Sequence, residues 1–336
     1  MAMKLSVLVE EYLIDCRVRQ LSAKTIAGYR SFLNYFVNFL LENDCPDTLA
    51  SFTLANGRKY SQSLVERAAR RGTFVAAGQT RGVYSLVQSE TPLKANTTFG
   101  YLRPIKTLSR WLAAEEQGYL ASDVMKGLKL PRRPQGYEEP LTDAEMGKLV
   151  VGFNLRSPIQ ARDFAICMMY MGTGLRATEL TNLEEDDVHI DEAYIRVKSG
   201  KGGKSRVVSL PPEVIASLFR YRQHFRPTTG APHFFVTRDG RPMGYSAVYQ
   251  VLRRAGRLSA IARVHPHLLR RTFGVAALTN GMDLFTLKET FGHSSIRTTE
   301  IYLKMSETRL KEQQRKTNPF AGVKLPKTVR KAKPNE

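Results

Sequence analysis

The sequence predicts a mainly α-helical protein in two domains, with a small antiparallel β-sheet confined to the second. Three observations predict it: apolar residues recur at helical spacing through the region ending at Lys129, strand-like runs are few and cluster later, and a proline-rich segment separates the two regions.

In the first region Leu5, Leu8, Val9, Tyr12 and Leu13 mark one helix. Ser22 is placed to cap a second, with Ile26, Tyr29, Leu33, Phe36, Val37 and Leu40 as its apolar stripe. A further helix over roughly Thr98 to Ala114 turns Leu102, Ile105, Leu108, Trp111 and Leu112 inward, and Pro104 should either start it or kink it. Arg70 to Leu93, containing VAAGQTRGVYSLV, reads as a hairpin or loop.

KLPRRPQGYEEPLT, with three prolines and a glycine, reads as an extended linker. Thr142 then caps a helix beginning DAEM, and helices alternate with strands expected at Tyr194–Lys198, Arg206–Leu210 and Phe234–Thr237. The expected domains are 1–129, a linker 130–139, a second domain 140–316 and a basic tail 317–336 holding five Lys or Arg and one Glu.

Composition limits the function. With 42% hydrophobic and 24% charged residues over 336 positions, the chain can bury a core. No apolar run is long enough for a membrane span, and the N-terminus does not read as a secretory signal. Three cysteines, far apart and outside any CxxC pattern, argue against a disulfide framework or a cysteine metal site, so a cytoplasmic setting is expected. Fifty-one Lys and Arg against 31 Asp and Glu leave a net charge of +20, an excess most simply neutralised by nucleic acid. Lys24, Arg30, Arg103, Lys106, Arg110, Arg132, Arg133 and Arg206 are candidate phosphate contacts; contacts of that kind position a duplex without reading its bases.

Four segments carry chemistry. In MGTGLRATEL, Gly172 and Gly174 should break a helix and place Arg176 at the start of the next, where guanidinium and backbone N–H groups can converge on an anion. YIRVKSGKGGKSRVVSL reads as a hairpin with Lys201 at its tip and Lys204 nearby. It lacks the GxxxxGK[ST] pattern of a nucleotide-phosphate loop. HPHLLRRTF sets His267 and Arg270 three apart on one helical face. In FGHSSIRTTEIYLK, Gly292 suits a helix C-cap, His293 follows it, and Thr298 or Thr299 can cap the next helix, which carries Tyr302.

Together and in this order, TGLRATEL, GKGGK, HPHLLRRTF and FGHSSIRTTEIY resemble the motifs of the tyrosine recombinases, the phage-integrase family, over about Pro140 to Lys316. The first region is similar, more loosely, to the helical core-binding domain of Xer-type members. The resemblance implies two domains forming a C-shaped clamp on double-stranded DNA, and a homotetramer on two DNA sites (or two plus two with a related recombinase). A C-terminal helix, here near Ser306 to Lys316, would dock into a neighbour. It also implies Tyr302 as nucleophile, with Arg176, Lys201, His267, Arg270 and His293 around the scissile phosphate and Glu179 orienting a basic residue behind them.

The sequence departs from the family's common pattern at Phe291, where leucine is frequent, at Arg271, where histidine often stands, and at Thr178, where serine or glycine is frequent. None of these removes a charged or nucleophilic group. The implied reaction makes a 3′-phosphotyrosine and a 5′-hydroxyl. Arginines stabilise the charged oxygens where a metal otherwise would, so no cofactor and no metal are expected. A type IB topoisomerase, which uses similar chemistry, and a non-catalytic DNA-binding protein keeping the fold are the alternatives.

Overall fold

The computed structural model describes residues 3–66, 68–75, 83–132, 138–198 and 205–303, giving the backbone alone for 68–75 and 83–92. Lys201, Lys204, Arg133, the helix expected near Ser306 to Lys316 and the basic tail lie outside the described residues. The chain divides into two compact units, Met1–Gly136 and Tyr137–Glu336.

In the first unit α1 (Leu5–Val18), α2 (Ala23–Glu42), α3 (Leu54–Glu66) and α4 (Ala95–Leu112) pack around one core. The stripes read from the sequence supply it: Leu8, Tyr12, Leu33, Phe36, Leu102 and Leu108 are all buried. Ser22 caps α2 by accepting from the Thr25 N–H at 3.1 Å. Helix α4 begins before Pro104 and continues through it, with the proline buried. Between α3 and α4, β1 (Ala68–Val75) and β2 (Val83–Pro92) form an antiparallel hairpin, pairing Phe74 with Tyr84 and Val75 with Val83.

The second unit opens on α5 (Asp143–Val151), where Thr142 and Glu145 complete a reciprocal cap. Buried α6 (Pro158–Thr173) is its spine, with α8 (Pro212–Arg220), α9 (Tyr245–Leu258) and α10 (Pro266–Thr279) packed against it. Short α7 (Ala177–Thr181) follows α6, and α11 (Leu284–Phe291) and α12 (Arg297–Leu303) close on α10. A three-stranded antiparallel sheet runs β3 (Val188–His189), β4 (Tyr194–Val197), β5 (Arg206–Ser209).

Two expectations are corrected here. Phe234–Thr237 is not a strand, since it carries a single isolated bridge, Val236 with Pro242, and another, Glu184 with His233, lies just before it. Its apolar character serves an aromatic cluster instead: Phe234 and Phe235 pack on Tyr221, and the third strand is Val188–His189. Gly172 does not break a helix, because α6 continues through it to Thr173 and turns at Gly174. Gly174 adopts φ +62°, and a Cβ there would stand 2.5 Å from both Phe273 and Phe291. Only glycine fits the turn that ends α6 and delivers Arg176.

Candidate active site

Arg176 is the N-cap residue of α7, and Glu179 reaches back to its N–H at 2.8 Å. The same carboxylate accepts from Arg176 Nη1 at 2.8 Å and from both Nη atoms of Arg206 at 3.0 and 2.9 Å. Arg270 Nη1 stands 4.0 Å from it. Three guanidiniums from α7, β5 and α10 are thus gathered by one largely buried carboxylate. Burial works to raise the Glu179 pKa, but the hydrogen bonds from Arg206 and from the Arg176 backbone overcome it and hold the value at about 2.

Arg270 is almost fully buried. It donates to the carbonyls of Gly174 (2.7 Å) and Phe291 (3.0 Å), and its guanidinium lies 4.0 Å over the Phe291 ring. Burial, then the Arg176 charge, depresses its pKa to about 10, so it stays cationic at neutral pH. Arg176 Nη2 reaches the Gly292 carbonyl at 3.2 Å. Gly292, with φ +59°, ends α11 as its C-cap and turns the chain into His293.

The structure assigns the His293 proton. Arg270 Nη2 lies 3.0 Å from His293 Nε2, and an arginine can only donate, so Nε2 accepts. The ring proton then sits on Nδ1, which donates to Thr299 Oγ1 at 2.8 Å. Burial, then the charges of Arg270, Arg176 and Arg206, lower the His293 pKa to about 4, so the ring is neutral at pH 7. In this arrangement His293 Nε2 receives a bond and offers none to an anion. Thr298 and Thr299 lie inside α12 and cap nothing; Thr299 is the buried partner that fixes the histidine. His267, on the first turn of α10, is solvent-exposed. Even so, desolvation of its ring, then the charges of His265, Arg270, Arg271 and Arg176, lower its pKa.

Tyr302 is buried on α12, its ring 5.3 Å from that of Phe291, and a Cβ added to Gly274 would stand 3.1 Å from it. Arg176, Glu179, Arg270, His293 and Tyr302 therefore come together within the second unit, with His267 on the same helix as Arg270. Lys201 falls in the sequence between β4 and β5, outside the described residues.

The candidate phosphate contacts divide. Arg206 is not a surface contact: its Nε donates to the Thr290 carbonyl at 2.8 Å while both Nη atoms hold Glu179, tying β5 to α7 and α11. Sequence reading placed it outside the site because nothing local shows that partner; its position just after the lysine-bearing turn was the available signal. Lys106 is likewise committed to the carbonyls of Met125, Lys126 and Leu128 at 2.8, 2.9 and 2.8 Å. Arg30 straddles Glu10 (2.7 and 3.1 Å), bracing α2 on α1. Arg110 is exposed and 3.8 Å from Asp123, and Arg132 is exposed. Lys24 and Arg103 line a groove of about 390 Å³ between α2 and α4, beside Tyr29, Phe32 and Phe99. Among the described residues no group of three His, Cys, Asp or Glu side chains could hold a metal, and no helix is long and apolar enough to cross a membrane.

Glu179→Gln is expected to cost about 3 kcal/mol of stability, since it leaves largely buried guanidiniums without their counter-charge. Phosphate should restore part of the loss, and thermal melts with and without phosphate check it. The wild-type chain should lose stability on acidification in two steps. The folded-state pKa of His293 lies below that of free histidine, so the unfolded chain binds the extra proton between about pH 6.5 and 4. Glu179 adds its loss as pH falls from about 4.5 toward 2, and this lower step should be smaller in Glu179→Gln, where Glu145 and Asp283, whose carboxyls are also held below their ordinary values by hydrogen bonds, still contribute.

The second unit is mostly helical with a small sheet, and it gathers three guanidiniums, a histidine and a buried tyrosine around Glu179 and Phe291. The profile of the phage integrase family matches residues 140–309, and the chain belongs to that family. Tyrosine recombinase XerD of Listeria monocytogenes serotype 4b (strain F2365) is 28% identical over 321 residues, 94% of this chain and 99% of that protein. The fold is similar to that of the XerH site-specific recombinase bound to palindromic difH substrate in a post-cleavage complex. The TM-score is 0.64 at 19% identity, covering 92% of this chain and 83% of that one. It is also similar to a lambda integrase tetramer bound to a Holliday junction, with a TM-score of 0.65 at 14% identity over 90% and 77% of the two chains.

Proposed function

We propose that this chain is a site-specific DNA recombinase that breaks and rejoins strands through a covalent 3′-phosphotyrosine. The observation that carries the proposal is the gathering of Arg176, Arg206 and Arg270 around one carboxylate, with His293 bonded to Arg270 and the Tyr302 ring packed on the Phe291 ring that carries the Arg270 guanidinium.

A phosphodiester anion repels nucleophiles, and more charge develops on its non-bridging oxygens as attack proceeds. Arg176 and Arg270 are fixed, permanently charged donors for those oxygens. Arg176, the more exposed, exchanges its bond to the Gly292 carbonyl for one to phosphate. Glu179 and Arg206 keep both guanidiniums from collapsing elsewhere. Tyr302 Oη attacks phosphorus as it loses its proton, the bond to the 5′-oxygen breaks, and that oxygen takes a proton. Exposed His267 is the group assigned to manage the phenol's proton, while His293, held between Arg270 and Thr299, braces the Arg270 guanidinium. Lys201 is assigned as the acid for the leaving 5′-oxygen, with Lys204 as the substitute. The covalent link conserves the bond energy, so a second DNA 5′-hydroxyl reverses the step without ATP.

The partner is double-stranded DNA, and Lys24 and Arg103 are its proposed contacts on the first unit. The working assembly is a homotetramer on two sites, or two plus two with a related recombinase, a reading supported by the tetramer seen for lambda integrase. Its setting is the cytoplasm, at the nucleoid, in keeping with the unpaired cysteines Cys16, Cys45 and Cys167.

A DNA site is first selected from a randomised pool by binding to the protein. On a duplex carrying that site with a nick beside the cleavage point, a trapped protein–DNA adduct is expected, and two intact sites should yield exchanged products. Relaxation of supercoils without exchange would indicate a topoisomerase, and binding without any adduct would defeat the proposal. Lys201→Ala should lose cleavage of ordinary DNA and regain it on a substrate whose 5′ leaving group is a thiol, which needs no acid. Lack of rescue would move the role away from Lys201.

A further inference from the structure

The Phe291 ring is the hub of the site. One face carries the Arg270 guanidinium at 4.0 Å. The Tyr302 ring packs against it at 5.3 Å with an interplanar angle of 59°, and the His293 ring at 5.2 Å. The Phe291 carbonyl binds Arg270 Nη2 at 3.0 Å. The backbone makes room for the ring: a Cβ on Gly174 would come within 2.5 Å of it, and one on Gly274 within 3.1 Å of both it and Tyr302. So much space reserved for an aromatic ring calls for more than filling volume, which leucine or methionine would do.

We propose that Phe291 is a positioning residue for strand cleavage, a wedge whose π-face fixes the Arg270 guanidinium while its flank sets the place of the Tyr302 phenol. An aromatic face attracts a cation through its quadrupole, and the attraction is largest where water is excluded, as it is around buried Arg270. A guanidinium with its carbonyl acceptors on two elements and a ring beneath it has little freedom to tilt. Phosphate then meets a donor already aimed, and the nucleophile is registered to that donor through one shared ring. This inference rests on the recombinase reading above and adds a residue to its site.

The test compares wild type, Phe291→Leu and Phe291→Met, and adds versions with mono-, di- and trifluorophenylalanine at position 291. Fluorine drains the ring's negative face while largely keeping its shape. Single-turnover cleavage of the nicked substrate at saturating DNA is measured beside the DNA dissociation constant and the melting temperature. Phe291→Leu and Phe291→Met should cleave at least about ten-fold more slowly with unchanged DNA affinity. The fluorinated series should slow step by step with each added fluorine. Wild-type rates in Phe291→Leu would overturn the inference, and so would rates indifferent to fluorination or a slowing matched by lost DNA affinity. Absence of adduct in the wild type would instead overturn the recombinase reading itself, so the two failures are distinguishable.

Discussion

Tyr302→Phe should abolish the covalent DNA adduct, to below detection, while leaving DNA affinity and the melting temperature close to wild type. The change removes one oxygen and keeps the ring that packs on Phe291 and Gly274. The nucleophile's oxygen is the one atom the reaction cannot replace, because a phenyl ring has no lone pair to offer phosphorus. Gel mobility, thermal melting and denaturing gels of the nicked substrate separate binding, folding and chemistry. A persistent adduct in this variant would refute the assignment.

Arg270→Ala is the second large effect, and it should differ in kind from Arg176→Ala. Both remove a cation from the developing phosphate charge and should slow cleavage by about 10²-fold or more. Arg176 is more than a third exposed, and its carbonyl partner at Gly292 can be hydrated, so its loss should scarcely change stability. Arg270 is buried; without it the carbonyls of Gly174 and Phe291 and the Nε2 of His293 lose their donor. Unsatisfied buried groups of this kind cost about 1–3 kcal/mol each, so Arg270→Ala should also melt at lower temperature. Equal melting temperatures for the two variants, or cleavage by Arg270→Ala at near wild-type rate, would contradict this division of roles.

What could be read from the sequence follows the range of the forces involved. Ser22, Thr142 and Gly292 act on backbone groups a few residues away, and their caps form as read. The apolar stripes of α1, α2 and α4 needed only helical periodicity. The motif arginines, His293 and Tyr302 could be placed on elements, though their convergence depended on a resemblance to known proteins.

Less legible were the residues whose partners lie far along the chain. Arg206 finds Glu179 across 27 positions, Lys106 reaches carbonyls 19 to 22 residues on, and Arg30 meets Glu10 at a helix crossing. Nothing local in the sequence announces those acceptors. Phe234–Thr237 looked like a strand because buried aromatic packing and a β-ladder demand the same residue types. The proton on His293 was beyond reach for a similar reason, since Arg270 and Thr299 set it together.

The most direct measurement is to trap the protein on nicked DNA carrying its selected site, digest the complex with trypsin and locate the nucleotide by mass spectrometry. A 3′-phosphate ester on the phenol of Tyr302, in the peptide following Arg297, is the predicted result. An adduct on any other side chain, or cleaved DNA with no attached peptide, would contradict the account.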